Sequence, residues 1–493
     1  MVGRVAPFLA VCAFLAGQLG AVEFQLGRAA VRITPTAETG GLKQVLDDLY
    51  AKAVVFEKDG TTATMVVCDL PVINRPVADA ARRLIKAETG IPAAHVMISA
   101  THTHTGLVPG WGGSTPFPEL APVTEGKEAD EAKRYTGFLT QAIAEAVTQA
   151  HRDRRPARVS AAIGREKSLP FNRRFLMKDG SVVFNPGVQN PNIVRPVGPV
   201  DPDVPVAYFE TPEEAPLATL VNYAMHLDTV GVDAYSADYP FTLATLLAAA
   251  RGPDMLTVFS IGTAGNVNHL DVRRPRPPRG PEEPARIGTV LAAEVLRTYS
   301  KLQPLEVRRV QAASESVPLP PVELRPGDSE RAYQLIRREQ SGGARLNLLE
   351  RVFVQRVLFA ERQQGRPYEV EVLAIALGDD LAWVGLPGEI FVELGLAIKK
   401  GSPFRFTAIN TLTADWIRYV PNRKGFQEGA YEAINTRCGP GGGELLVEAA
   451  LRCLLRLRAA PQPPGGQESA RLLLRTESSP EPDRTGSMTK SGW

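Results

Sequence analysis

Between residues 62 and 99 the chain spells a strand, a helix and a second strand, and that order dictates how the two strands pair. Residues 62–69, Thr-Ala-Thr-Met-Val-Val-Cys-Asp, form an apolar, β-branched run. Val77, Ala80, Ala81, Leu84 and Ile85 then recur at helical spacing, and Gly90 stops the helix before a second apolar run at 96–99. A strand–helix–strand crossover makes its strands parallel, and ligands of parallel sheets gather beyond the carboxyl ends of the strands. The residues found there are Thr101-His102-Thr103-His104-Thr105-Gly106, two histidines one residue apart in a chain with only 6. Past a strand end, one imidazole can aim at a cation and the other at a reacting group. An isolated His-x-His pair is common by chance, as a surface or core feature, so other residues must carry the metal reading.

The same placement recurs along the chain. An apolar run at 217–225 ends at His226; another at 255–261 ends at Gly262-Thr263-Ala264-Gly265-Asn266-Val267-Asn268. Residues 381–385 run into Leu386-Pro387-Gly388-Glu389 and a helix-like stretch to Lys400, and residues 406–410 lead to the segment 411–419. His226 at a strand end suits a metal ligand better than a core histidine. Glu389 after a Pro-Gly turn reads either as a ligand carboxylate at a helix start or as an acid favoured there by the helix dipole. Asp238 could steady a ligand imidazole from behind, or cap the helix-like residues 241–250. Further helices are expected at 132–151, with His151 on the surface near the end, and at 286–302. The Arg- and Pro-rich residues 273–284 are expected to be an exposed loop.

Composition narrows the function classes. With 493 residues, 44% hydrophobic and 22% charged, the chain can bury one large or two medium cores. Lys plus Arg number 56 against 54 Asp plus Glu, a net charge of +2, which supplies no field for nucleic acid and no polybasic draw to lipid. Residues 1–21 carry Arg4, an apolar run at 7–16 and small residues before Glu23, the pattern of a secretory signal peptide, with an uncleaved interfacial anchor as the alternative. The mature protein is therefore expected to be soluble and secreted or periplasmic. Cys12 lies in that leader, Cys68 reads as an apolar filler, and Cys438 and Cys453 could either bridge or stay free. Residues 460–493, rich in Pro, Gly, Ser, Glu and Arg, are expected to be disordered.

Six short pieces, in order, carry a resemblance. They are Thr101-His102-Thr103-His104-Thr105-Gly106, Phe171-Asn172-Arg173, Val221-Asn222-Tyr223-Ala224-Met225-His226, Gly265-Asn266-Val267-Asn268, Pro387-Gly388-Glu389 and Arg418-Tyr419-Val420. Their order and spacing over roughly residues 25–455 resemble the neutral, non-lysosomal ceramidase family, with this chain a divergent, bacterial-type member. The resemblance implies an α/β fold of large mixed sheets flanked by helices, a single catalytic domain over 22–459. It also implies one catalytic Zn2+ held by His102, His226, Glu389 and Tyr419. A nearby divalent cation favours the phenolate and so can recruit a tyrosine. His104 would then act on the substrate, by hydrogen-bonding the oxyanion or carrying a proton, and Arg173 would recognise a polar head group. For Arg173 the plainer reading is a salt bridge near Asp179.

The chain departs from the family in two places. The family serine falls at Asn268, whose amide can donate to an oxyanion at the catalytic centre but cannot supply a hydroxyl. The family's C-terminal immunoglobulin-like domain is expected to be absent, and a glycine-rich turn at 437–444 replaces a family segment. His269 is a further candidate for the cleft, or a plain loop histidine. The implied function is zinc-dependent hydrolysis of a linear N-acyl amide, ceramide among the candidates, to fatty acid and amine. The alternatives are a zinc esterase or lactonase, and a ceramidase-like binding protein without turnover. The partner is a small-molecule or lipid amide; membrane-surface contact and oligomeric state are left open.

Overall fold

The computed structural model describes residues 23–39, 43–109, 127–275 and 280–459. The expected signal peptide, Cys12 within it, the expected tail and the middle of the 273–284 loop lie outside those residues.

Three sheets make the body of the fold, and each ends in one parallel edge. The first has the order Val96–Ala100, Thr61–Cys68, Tyr50–Lys58, Gln25–Arg32, Arg155–Pro156. The second runs Leu256–Ile261, Pro216–Tyr223, Asp203–Glu210, Arg158–Arg165, Gln303–Leu305. The third runs Val310–Leu319, Tyr368–Leu377, Leu381–Gly385, Phe406–Asn410. In each sheet the edge strand Val96–Ala100, Leu256–Ile261 or Phe406–Asn410 lies parallel to its neighbour, and the remaining pairs are antiparallel. This is the expected α/β class with mixed sheets.

Alternation along the strands explains how three sheets share one centre. Ala63, Met65 and Val67 face a core that also takes Val54, Phe56, Phe209, Val258, Ile375 and Trp383, whereas Val66 and Cys68 face the helices. Phe56 stacks on Trp383 across that centre, with ring centroids 5.5 Å apart. Outside it, Arg75–Thr89 and Lys127–Arg152 cover the first sheet, Tyr239–Arg251 and Glu282–Tyr299 the second, and Val392–Gly401 and Gly442–Ala459 the third.

The first crossover forms as its residues dictate. Asn74 accepts the Val77 amide and so caps Arg75–Thr89, a contact that stabilises a helix by about 1 kcal/mol. At the other end Gly90, at φ 76°, donates to the Lys86 carbonyl and turns the chain out. The helix expected from 286 starts earlier, at Glu282, inside the stretch read as an exposed loop. Acids at its N-terminus suit the dipole, Pro284 tolerates a first turn, and Glu283 is buried against Arg286. Cys68, Cys438 and Cys453 are buried and free, so the alternative of a Cys438–Cys453 bridge is not realised. Among the described residues no helix is long and apolar enough to cross a membrane.

Candidate metal centre

The three parallel edges meet at their carboxyl ends. The Thr411 amide donates to Ile261 O (3.1 Å), Ala100 N to Leu412 O (3.3 Å) and Ala414 N to Ile98 O (2.8 Å), stitching one strand end of each sheet together. Into this junction come His102 and His226, from just beyond the Val96–Ala100 and Pro216–Tyr223 strands, and Glu389 and Tyr419, from the segments that follow Leu381–Gly385 and Phe406–Asn410.

The His102 loop is held from several sides. His102 sits at φ 75°, a left-handed conformation costing about 1–2 kcal/mol outside glycine. Thr103 and Thr105 both donate from Oγ1 to the Ser236 carbonyl, at 2.6 and 2.7 Å, and the His104 amide donates to Leu227 O at 3.0 Å. These bonds lay the loop alongside the residues that follow His226.

The imidazoles are aimed by their carbonyl partners. His102 Nδ1 lies 2.7 Å from Pro71 O, and His226 Nδ1 lies 2.9 Å from Ala264 O and 3.1 Å from Val267 O. Carbonyls only accept, so in both rings Nδ1 carries the hydrogen and Nε2 presents its lone pair to the junction. Glu389 Oε2 sits there, 3.3 Å from both Nε2 atoms, and no hydrogen-bond donor reaches it. Three buried electron-pair donors at this spacing favour a positive centre between them, a proton or a metal cation, beside the Arg173 guanidinium that approaches His226 Nε2 at 3.2 Å. His104 Nε2 lies 3.3 Å from His102 Nε2, and the ligand nitrogens of His102, His104 and His226 all fall within 4.8 Å of one another. Two nitrogens and a carboxylate oxygen, with a phenol and a third imidazole beside them, form a donor set that could hold a metal ion.

Glu389 is not at a helix start, as the Pro-Gly turn suggested. It lies in a two-residue strand parallel to Tyr419 and Val420, its amide donating to Arg418 O at 2.8 Å, and the helix begins only at Val392. The plain reading of an acid favoured by the helix dipole therefore falls. Gly265 is needed at this place: a Cβ there would sit 2.4 Å from Glu389 O, so only glycine lets the loop whose carbonyls aim His226 touch the Glu389-bearing segment. The Trp416 indole donates to Glu389 Oε1 at 3.1 Å.

Electrostatics follow from this crowding. Burial alone would lower the His102 pKa, but the Glu389 charge outweighs it and raises the value above 6.5. Burial would raise Glu389, yet His102 and His226 hold it well below the carboxylate range. Burial and then Arg173 lower His226. Desolvation at the site and the neighbouring His102 lower the pKa of His104, whose side chain faces solvent. Burial and the Glu389 carboxylate raise the Tyr419 phenol, to which Glu389 is hydrogen-bonded, so without a cation it is neutral.

Arg173 is buried, and its partner is not near Asp179, which instead bonds Ser181. Its Nε donates to Glu432 at 3.1 Å, one terminal nitrogen approaches His226 Nε2 at 3.2 Å and the other donates to Gly265 O at 2.8 Å. The guanidinium also lies 5.2 Å from the Tyr419 ring centre. Arg174, equally buried, donates to the other oxygen of Glu432 at 2.7 Å. Asn268 pairs with Phe171 in a short strand; its amide donates to Asn185 at 3.2 Å and its oxygen accepts from Leu270 at 3.1 Å. His269 is buried against Asp228, 3.1 Å away. Although burial would raise Asp228, the His269 hydrogen bond and the charge of His104 hold it well down. Asp238 makes no bond to a ligand imidazole; it accepts from Thr229 and Tyr239 and caps the following helix, the plainer of its two readings. Sequence reasoning missed Trp416, Glu432 and Asp228 as parts of the site. Trp416 and Asp228 lie within three residues of a named ligand candidate, and that proximity was the available signal.

No family model and no curated protein matches the sequence. Solved structures do match. The neutral ceramidase from Pseudomonas aeruginosa superposes with a TM-score of 0.65 at 17% identity, covering 90% of this chain and 76% of that one. A ceramidase complexed with C2 gives a TM-score of 0.65 at 16% identity, covering 90% of this chain and 77% of that one. The chain thus has a neutral ceramidase-like fold.

Proposed function

We propose that this chain is a zinc-dependent hydrolase that cleaves an N-acyl amide to a carboxylic acid and an amine, acting outside the cytoplasm once residues 1–21 are removed. The observation that carries the reading is Glu389 Oε2 set 3.3 Å from two Nε2 lone pairs at the meeting point of three parallel edges. The likeness to ceramidases supports an acyl amide as the substrate class, with a lipid amide as the leading case.

His102, His226, Glu389 and Tyr419 would hold the ion. When bound, zinc polarises a carbonyl and lowers the pKa of water. The chain's own residues supply the rest. The carbonyls of Pro71, Ala264 and Val267 fix both ligand rings, and Trp416 takes the second oxygen of Glu389. His104, neutral at neutral pH, keeps one N–H to give to the oxyanion that develops as water adds to the carbonyl carbon. A histidine held neutral serves better as such a donor than as a proton carrier. Arg173 places a fixed positive charge beside Tyr419 and favours its ionised form.

Two measurements test this. Purified protein is expected to hold about one zinc per chain, and fluorogenic N-acyl amides to be turned over, with activity lost to a chelator and restored by zinc. Faster ester than amide turnover would replace the amide reading by the esterase or lactonase, and zinc without turnover of any substrate would leave a binding protein. The second measurement concerns protons. Because the Glu389 charge raises the His102 pKa from its ordinary value, a proton competes with a cation for that nitrogen, and below that pKa the cation must expel it. Zinc uptake is therefore expected to release protons, seen as a buffer-dependent heat in calorimetry. Affinity should fall by about tenfold per unit as pH drops through that raised value. Uptake indifferent to buffer and pH would contradict the arrangement.

A further inference from the structure

We infer that Trp416 is a positioning residue for Glu389, held in place by an anchor of Asp415, Arg75 and Tyr368 on the far side of its loop; the inference rests on the metal reading above. Three observations carry it. First, the two oxygens of Glu389 are treated differently: Oε1 accepts the Trp416 indole N–H at 3.1 Å, while Oε2 has no donor and faces the two histidines. With Oε1 occupied, the carboxylate presents a single oxygen to an ion in a fixed orientation.

Second, the loop is held out of its relaxed shape. Leu412, Ala414 and Arg418 all have positive φ, at 54°, 61° and 66°, three non-glycine residues in seven positions. Backbone bonds maintain that path: Leu412 N to Gly388 O at 3.2 Å, Thr413 N to Leu386 O at 3.0 Å and Ala414 N to Ile98 O at 2.8 Å. The loop thus spans from the strand that delivers His102 to the turn that delivers Glu389.

Third, Asp415 is locked from outside. Its Oδ2 accepts from Arg75 Nε at 3.1 Å, from a terminal nitrogen of Arg75 at 2.7 Å and from the Tyr368 hydroxyl at 3.1 Å, and its Oδ1 accepts the Trp416 amide at 2.8 Å. Arg75 and Asp415 line a polar cavity of about 230 Å³ with Asp79, Arg82, Glu369 and Glu371. A chain of hydrogen bonds therefore runs from the first residue of the Arg75–Thr89 helix through Asp415 and Trp416 to the ligand carboxylate.

The test is zinc affinity by chelator competition and the visible spectrum of the cobalt-loaded protein, for the parent, Trp416→Phe and Trp416→His. Trp416→Phe keeps an aromatic ring without the N–H, and is expected to weaken zinc binding about 10–100-fold and to alter the cobalt spectrum. Trp416→His returns a ring N–H, and is expected to recover part of both. Asp415→Asn keeps the shape of the anchor while weakening its hold on Arg75, and is expected to fall between parent and Trp416→Phe. Parent-like affinity and spectrum in Trp416→Phe would overturn the inference while leaving the metal reading standing. A parent that takes up neither ion would overturn both.

Discussion

Purified His102→Ala is expected to carry no zinc, while His104→Ala keeps it and loses about 10²–10⁴-fold in turnover. The geometry separates the two histidines even though only one residue lies between them. His102 is buried, its Nδ1 is tied to Pro71 O at 2.7 Å and its Nε2 lies 3.3 Å from the orphaned oxygen of Glu389. Truncation removes a nitrogen donor whose tautomer and aim are fixed, a larger loss than the roughly 10–100-fold that outer-sphere changes cost. His104 faces solvent, at the mouth of the same junction, and its neutral state suits hydrogen bonding to a developing oxyanion. Its Nε2 is nevertheless only 3.3 Å from that of His102. Metal content of the two variants by elemental analysis, beside turnover of the zinc-saturated proteins, decides between the roles. Equal zinc loss in both would make His104 a ligand and would reassign the site.

The strands flagged in the sequence by polar residues at their ends, Val96–Ala100, Pro216–Tyr223, Leu256–Ile261, Leu381–Gly385 and Phe406–Asn410, all belong to parallel pairs. That follows from burial on both faces, which leaves a continuous apolar run bounded by turns. Antiparallel strands were harder to see. Val310–Leu319 carries Gln311, Ser314, Glu315 and Ser316 within it because it is the edge strand of its sheet and half exposed, and among the helices Asp328–Gln340 buries only Ala332, too little for a legible stripe. Glu389 was misplaced for a different reason. A Pro-Gly turn before a helical run is a local signal, and the pairing of Glu389 with Tyr419 is not local. Tyr419 entered only through the family resemblance, whereas His102 and His226 were legible because each follows the end of a strand. What aims them was not: Glu432 reaches Arg173 across 259 residues of chain, and Pro71 reaches His102 across 31.

Glu432→Ala is expected to destabilise the protein by about 3–5 kcal/mol, measured as the shift in chemical denaturation of the metal-free chain. Glu432 is fully buried and joins two buried guanidinium groups, Arg173 at 3.1 Å and Arg174 at 2.7 Å. Arg174 has further partners, the Gly429 carbonyl at 3.0 Å and Glu428 at 3.3 Å, and so keeps part of its compensation when Glu432 is lost. Arg173 keeps less: its remaining hydrogen-bond partners, the Gly265 carbonyl, His226 Nε2 and the Tyr419 phenol, are neutral, and only the Glu389 carboxylate, to which it is not hydrogen-bonded, offers opposite charge nearby. Removing the carboxylate therefore strips Arg173 of its one charged hydrogen-bond partner, leaving a less compensated positive charge beside a ligand imidazole, and zinc affinity should fall together with stability. Glu432→Gln keeps an acceptor oxygen but not the charge, and should cost less stability, about 1–3 kcal/mol, while still weakening zinc binding. The contrast between the variants separates the two roles of Glu432: stability should follow its hydrogen bonds, and metal affinity its charge. Parent-like zinc affinity in Glu432→Gln would confine this residue to holding the fold together.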